Sequence, residues 1–464
     1  MKFTKFGKAL LMSALSAGVV FSVTSCVQSY TVGYLYVTGT VTATPSGNGI
    51  ISGFKIDHNT GKLETIHGLP VSSGGANPVR AVLLNGSSFV YVLNRGTTSS
   101  GGSDCTTADP CQNSNITQFA IGSNGILTPQ ETFYTQGLNP FRMVTDSSGN
   151  YLYVLDHDSL YNGAPSSSTN PNPNCAAALT GATTCGDITA FSVNATTGRL
   201  QLLVNKQVTA SGGGGTPLTY FPIPANPVDF VLASGNILTL FSTTVQTGYP
   251  YTGGSNVFPY AYNTANGQLT STGNTDSIGP VTQGTAIVSV GGYIFVLDNE
   301  SPSPNPTNAA SQILAFTVGS NGALLAANPS VIPDDPGQYN PIYLVEESKG
   351  RWFYVANQGS STPPLGYATA QSGITGYVIN SPFQPQEMAG TPIGFGSGSG
   401  PQCLVEDPSN QFFYTANFND STVTGQILDQ DKGTLVPLSQ STKAPSEYSL
   451  TGPPTWCLVD GRTD

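Results

Sequence analysis

Arg80, Arg142 and Asp229 stand at the same point of a phrase that recurs along the chain, two residues before a valine in a short apolar stretch. Aligned on Val82, Val144, Val231, Val345, Val405 and Val459, the phrase brings Arg80, Arg142, Asp229, Tyr343, Cys403 and Cys457 into register. Two guanidinium groups held side by side can grip a carboxylate or phosphate through paired hydrogen bonds. Arg142 and Asp229 can equally neutralise each other as a structural pair. A second cluster, Asp156-His157-Asp158, offers the oxygen and imidazole donors of a divalent-cation site, with Asp298 and Glu300 at the corresponding point of another stretch. The competing reading is local: Asn or Asp recurs at that point in most copies, as a turn residue does. The chain has three histidines, His58, His67 and His157, and no Ser-His-Asp phrase, phosphate loop or dinucleotide fingerprint. No cofactor is therefore expected.

The elements that must position these residues are strands. One phrase reads as strand, tight turn, strand: Ile116-Thr-Gln-Phe119 precedes Asn124-Gly125, and Ile188-Thr-Ala-Phe191 precedes Thr197-Gly198. Its copies begin at positions 51, 116, 188, 257, 313, 374 and 423, and the sixth has Ser381-Pro382-Phe383 in place of the Gly turn. Asn-Gly and its relatives supply the positive φ that tight hairpins need. Between the copies lies a second phrase: Asn-Pro or Gly-Pro, an apolar strand, a short turn, then an aromatic strand ending in Asn or Asp. Examples end in Tyr91-Val-Leu-Asn94, Tyr153-Val-Leu-Asp156, Tyr354-Val-Ala-Asn357 and Tyr414-Thr-Ala-Asn417. Each repeat thus holds four short strands, A to D, and seven such units predict an all-β, seven-bladed β-propeller of antiparallel blades. Pro454-Thr-Trp-Cys-Leu-Val459 is an A strand with nothing after it, and Tyr34-Leu-Tyr-Val37 a B strand with no A before it. The first blade is therefore expected to take strand A from the C-terminus and strands B, C and D from the N-terminus, which leaves no open sheet edge.

With these phrases the chain resembles the lactonase-type seven-bladed propellers, the family of bacterial 6-phosphogluconolactonase, and the related propellers with a Tyr-Val-Thr-Asn repeat. The resemblance implies the fold and, more weakly, lactone hydrolysis. It also implies a Gly-Pro-Arg-His type phrase at the start of an A strand, with His and Arg in a central site. No such phrase occurs here; Arg142, in Asn139-Pro-Phe-Arg142, stands where that His is expected. An arginine does not exchange protons near neutral pH, so general-base catalysis at that position is lost. Glu346, Glu347, Glu406 and Asp407 follow A strands so closely that solvated positions on the opposite face are expected.

The N-terminus reads as an address. Lys2, Lys5 and Lys8 precede an apolar stretch over residues 9–23, which ends in Val23-Thr-Ser-Cys26. This resembles a bacterial lipobox, so residues 1–25 are read as a signal peptide, Cys26 as the lipidated first residue, and residues 26–464 as a single propeller domain. Ordinary signal cleavage near the same place is the alternative. Either way the chain is expected to be exported, to the bacterial periplasm or cell surface, touching a membrane only through the Cys26 anchor. Six cysteines remain of the seven. Cys105 with Cys111, and Cys175 with Cys185, each close a short loop, as suits an oxidising compartment. Cys403 and Cys457 lie in blades that become neighbours on ring closure. A disulfide there would lock the ring, but it needs a Cα separation below about 7 Å, so the pairing is left open.

The B–C loops are long and uneven (96–115, 157–187, 242–256, 299–312 and 358–373), and insertions confined to one face mark a binding face. A formal charge of −11, falling to −14 without the three N-terminal lysines, excludes nucleic acid as a partner. Two readings follow. The first is a monomeric, envelope-anchored binding module for a glycan, a peptide or protein, or a small anionic ligand. The second is a lactone hydrolase with rearranged catalytic groups.

Overall fold

The computed structural model describes residues 30–41, 47–84, 88–102, 111–211, 214–242, 254–278, 283–299, 311–360, 371–380, 383–393, 399–441 and 444–461, with Cys105 and Asp109. The signal segment and Cys26 lie outside the described residues, as does Glu300.

Seven antiparallel sheets form the blades of a closed ring. In blade 1, strand A (Pro454–Asp460) pairs with strand B (Thr31–Gly39), which pairs with strand C (Asn48–Asp57). The C-terminal strand therefore completes the N-terminal blade, as the repeat count requires. In blades 2 to 7 the A strands are Pro78–Leu83, Leu138–Thr145, Pro227–Ala233, Gly284–Val290, Pro341–Glu346 and Pro401–Glu406. The B strands are Phe89–Asn94, Tyr151–Asp158, Asn236–Ser242, Tyr293–Asp298, Trp352–Asn357 and Phe412–Asn417. The C strands are Asn115–Ile121, Gly186–Val193, Ser255–Tyr262, Gln312–Val318, Gly373–Val378 and Thr422–Leu428. The outermost D strand is split in blades 1, 3, 4 and 7, where two short pieces pair with one C strand.

The core is divided rather than central. Seven buried apolar clusters are present, one for each seam between neighbouring blades. Alternate side chains of strands B and C point to opposite faces of a blade, so each blade buries apolar side chains on both sides. This explains why B strands such as Phe89–Asn94 read as nearly continuous apolar runs.

Two local features shape the inner wall. Asn77, Asn139, Asn226 and Asn340 adopt φ of 54° to 61°, and Gly400 takes the same place at 62°. Asn tolerates this left-handed region, and the proline after it starts strand A with φ already fixed. Immediately beyond, every A strand has a bulge. In blade 2, Pro78 faces Asn94 and Arg80 faces Leu93, which leaves Val79 unpaired. The corresponding extra residues include Phe141, Ile342, Gln402 and Thr455. One bulge per blade at the same level re-aims a ring of side chains at one end of the axis.

Candidate functional site

The A strands surround an axial cavity of about 490 Å³, lined by Arg80, Arg142, Asp229, Tyr343 and Trp456 among largely apolar neighbours. Pairing with strand B fixes the level of each residue. Arg80 faces Leu93, Arg142 faces Leu155, Asp229 faces Leu240, Ala286 faces Leu297, Tyr343 faces Ala356 and Cys403 faces Ala416. These are equivalent places in blades 2 to 7. In blade 1 the equivalent residue is Trp456, opposite Thr38, and not Cys457. The valine alignment slips by one in this strand: Leu458 faces Tyr36 just as Val82 faces Tyr91. Counting from the proline instead places Trp456 correctly, two residues after Pro454 as Arg80 is two after Pro78 and Arg142 two after Pro140.

The charged residues converge. Arg142 Nε donates to Asp229 Oδ1 at 3.0 Å, and its Nη1 donates to the Phe141 carbonyl at 3.1 Å. Asp229 also accepts from the backbone N–H of Phe230 at 2.9 Å and, through Oδ2, from that of Ile287 in blade 5 at 3.1 Å. This carboxylate is thus held by an arginine and two main-chain donors. Arg80 Nη2 reaches the same Oδ1 only at 4.0 Å. Its guanidinium lies over the Trp456 ring, 3.7 Å from the centroid, and makes no hydrogen bond among the described residues. The Arg80 side chain is 13% exposed. Burial first, and then the neighbouring Arg142 charge, lower its pKa to about 10, so it stays protonated at neutral pH. Burial raises the Tyr343 phenol, whose ring meets Trp456 edge-on at 5.0 Å. Two cations and one anion leave the cavity with an excess positive charge.

Cys403 and Cys457 are disulfide-bonded, with Cα atoms 5.9 Å apart. The bond joins strand A of blade 7 to strand A of blade 1 and so locks the ring at its closure. Cys105–Cys111 and Cys175–Cys185 are also bonded, both in B–C loops.

The Asp156-His157-Asp158 cluster does not assemble as a cation site. Among the described residues no group of three His, Cys, Asp or Glu side chains is placed to hold a metal ion. Successive residues of a strand point to opposite faces. Asp156 turns inward, where its Oδ2 accepts from Thr189 Oγ1 at 3.0 Å and it faces Asp187 on strand C. His157 Nδ1 lies 3.2 Å from Asp158 Oδ2. Burial raises the Asp156 carboxyl to about 7, and burial with the Asp156 charge raises Asp187 well above the ordinary carboxyl range. Asp298 is likewise internal, accepting from Gln283 N and Gln312 Nε2 at 2.7 Å each.

Two carboxylates expected in solvent are buried instead. Asp407 accepts from the backbone N–H groups of Ser409, Gln411 and Phe412, tying together the A–B turn of blade 7. Glu347 is fully buried and is gripped by Arg351 Nη2 at 2.7 Å and Asn410 Nδ2 at 2.8 Å. In a short turn the N–H groups point inward with no carbonyl placed to accept from them, and a carboxylate beside the turn supplies those acceptors.

Residues 34–161 match the family model described as Lactonase, 7-bladed beta-propeller. The fold is that of the lactonase-type propellers. The Pseudomonas aeruginosa periplasmic gluconolactonase PpgL is 15% identical with a TM-score of 0.59, covering 92% of this chain and 99% of its own. A Bacteroides uniformis protein provisionally assigned as a 6-phosphogluconolactonase is 13% identical with a TM-score of 0.59, covering 92% of this chain and 99% of its own. A hypothetical selenium-binding protein of Sulfolobus tokodaii is 11% identical with a TM-score of 0.56, covering 94% of this chain and 95% of its own. No curated protein gives a sequence match. Among the described residues the cavity lining holds arginine and tryptophan and no histidine, in place of the His and Arg that the resemblance implied.

Proposed function

We propose that this chain is an exported, lipid-anchored binding protein of the cell envelope whose axial cavity takes a small anionic ligand. Arg80 carries the reading. A guanidinium withdrawn from water without a hydrogen-bonded partner is costly, and an anion on its free edge relieves that cost. Arg142 stands beside the same carboxylate oxygen and adds a second cation. A glycan or a protein partner would use the loop-rich face instead. The lipobox-like Cys26 and three disulfides support residence outside the cytoplasm.

Lactone hydrolysis is the second reading, favoured by the family match over residues 34–161. Hydrolysis needs a base to activate water, and the one cavity carboxylate among the described residues, Asp229, already accepts from an arginine and two backbone donors.

Calorimetric titration of the purified mature protein with propionate and with inorganic phosphate tests the first reading, alongside Arg80→Met. Binding that weakens at least ten-fold in the variant is expected. Turnover of a panel of lactones by the wild type that collapses in Arg142→Ala would overturn the binding reading in favour of the second. Replacing Cys26 with Ser should release the protein from the membrane fraction; retention there removes the anchor.

A further inference from the structure

We propose that the ligand is an amphipathic monocarboxylate, a small acid with an apolar body, rather than a sugar acid or a phosphate ester; this rests on the cavity being the binding site. The charges limit the head group. Among the described residues the cavity lining carries no charged side chain apart from Arg80, Arg142 and Asp229, so one negative charge balances the site. A phosphate dianion would leave an uncompensated buried charge in its turn.

The walls select the body. Polar side chains occur at the two ends of the cavity: Gln358, Gln402 and Thr455 at the bulged end, and Thr145 and Ser289 toward the far ends of their strands. Between them the side chains on the same strand face as Arg80 are Val82, Val144, Val231 and Val288. The run from Arg80 to Leu83 spans about 10 Å of strand. A carboxylate on Arg80 and Arg142 therefore sends whatever it carries into an aliphatic sleeve. The valine side chains give a polyol's hydroxyl groups no partner, and each hydroxyl not reaching the strand-edge backbone costs about ten-fold in affinity. A methylene chain gains there instead, by roughly four-fold per buried methylene.

The test is a chain-length series (acetate, butyrate, hexanoate, octanoate) titrated into the mature protein, with gluconate as the polyol acid of the same charge. Affinity should climb roughly four-fold per methylene until the sleeve is full, and gluconate should bind no tighter than acetate. Val288→Phe, which narrows the sleeve, should shorten the chain length at which the gain stops, and Arg80→Met should weaken every member at least ten-fold. Both variants are checked for an unchanged melting transition. A series flat in chain length, or gluconate tighter than octanoate, overturns the amphipathic ligand and leaves the anion site standing. If no acid binds, the anion site itself fails, and this proposal with it.

Discussion

At five of the seven seams a B-strand tyrosine crosses to the next blade and donates to the carbonyl of a hairpin glycine; at the two seams flanking blade 5 it does not. Tyr36 reaches Gly125 at 2.7 Å, Tyr153 reaches Gly267 at 3.1 Å, Tyr354 reaches Gly433 at 2.6 Å and Tyr414 reaches Gly61 at 2.7 Å, while Tyr91 bonds Gly198. The same glycine lies against the aromatic ring two residues before the tyrosine. A Cβ on Gly433 would fall 2.6 Å from the Trp352 ring, and one on Gly61 2.5 Å from that of Phe412. Each of these seams is therefore an aromatic-x-Tyr pair clasping a glycine. Blade 4 has Leu238 in the tyrosine position and blade 5 has Phe295. Those seams are closed by aliphatic packing around Leu238, Ile287 and Ile294, and by rings: Phe295 on Phe353 at 5.1 Å and Tyr293 stacked on Phe383 at 3.9 Å. One hydrogen bond with a clasped glycine and one layer of close-packed apolar side chains are interchangeable ways of holding a blade to its neighbour.

The seam at which blade 7 meets blade 1 tests this most severely, because it also closes the ring. Removing residues 453–464 deletes strand A of blade 1, Trp456 and the Cys403–Cys457 bond, and leaves the Tyr414–Gly61 clasp intact. The expected result is loss of the cooperative urea transition, since a propeller without its closing strand exposes the edges of strands on both sides. A truncated protein that melts with the full-length chain would show that the clasp alone closes the ring.

Blades 2 and 3 share the clasp and differ beneath it. Asn94 donates to Asn115 Oδ1 at 2.9 Å and to Thr117 Oγ1 at 3.2 Å. Blade 3 repeats the geometry with Asp156, Asp187 and Thr189, so two carboxyls face each other where blade 2 has two amides. Burial raises both carboxyls, Asp156 to about 7, whereas an unfolded aspartate titrates near 4. The folded state thus holds a proton that the unfolded chain releases, and stability falls as pH rises from about 4 through 7. Asp187→Asn restores the amide arrangement of blade 2. It should stabilise the protein by about 2 kcal/mol at pH 8 and far less at pH 4, read from urea melts at both. Equal effects at the two values would mean that no proton is held at this pair.

At the clasps themselves, Tyr91→Phe removes the hydroxyl and leaves the Gly198 carbonyl buried without its donor, which should cost about 1 to 2 kcal/mol. Tyr354→Phe and Tyr153→Phe should cost similar amounts. Much smaller losses at all three would reduce the clasp to ring packing and erase its distinction from the seams around blade 5.

Strands, hairpins and ring closure were legible in the sequence because each is local: a turn dipeptide, an Asn-Pro or a run of aromatic residues announces itself within ten residues or so. Arg80, Arg142 and Asp229 were legible because equivalent strand positions face one axis. Trp456 was missed because the valine register slips in the closing strand, although Pro454 marks it. The clasps were visible only as halves. Tyr153 and Gly267 are 114 residues apart, and no local pattern says that the aromatic phrase of one repeat holds the hairpin of the next. Burial of Glu347 was illegible for a similar reason, since Asn410, which meets it, comes from the following blade.

The smallest effect bears on the seams without a clasp. If ring stacking stands in for the hydrogen bond between blades 5 and 6, then Phe383→Leu, which keeps an apolar side chain but removes the stack on Tyr293, should cost about 0.5 to 1.5 kcal/mol. Loss of contact area adds to this, so Tyr293→Leu and the double variant are needed to isolate the pair. Coupling between the two rings in that cycle identifies the stack as the element holding this seam. Additive single effects would mean that the blade 5 side is held by general burial around Phe295, Phe353 and Tyr377, with no particular pair in the role that Tyr354 and Gly433 fill one seam further on.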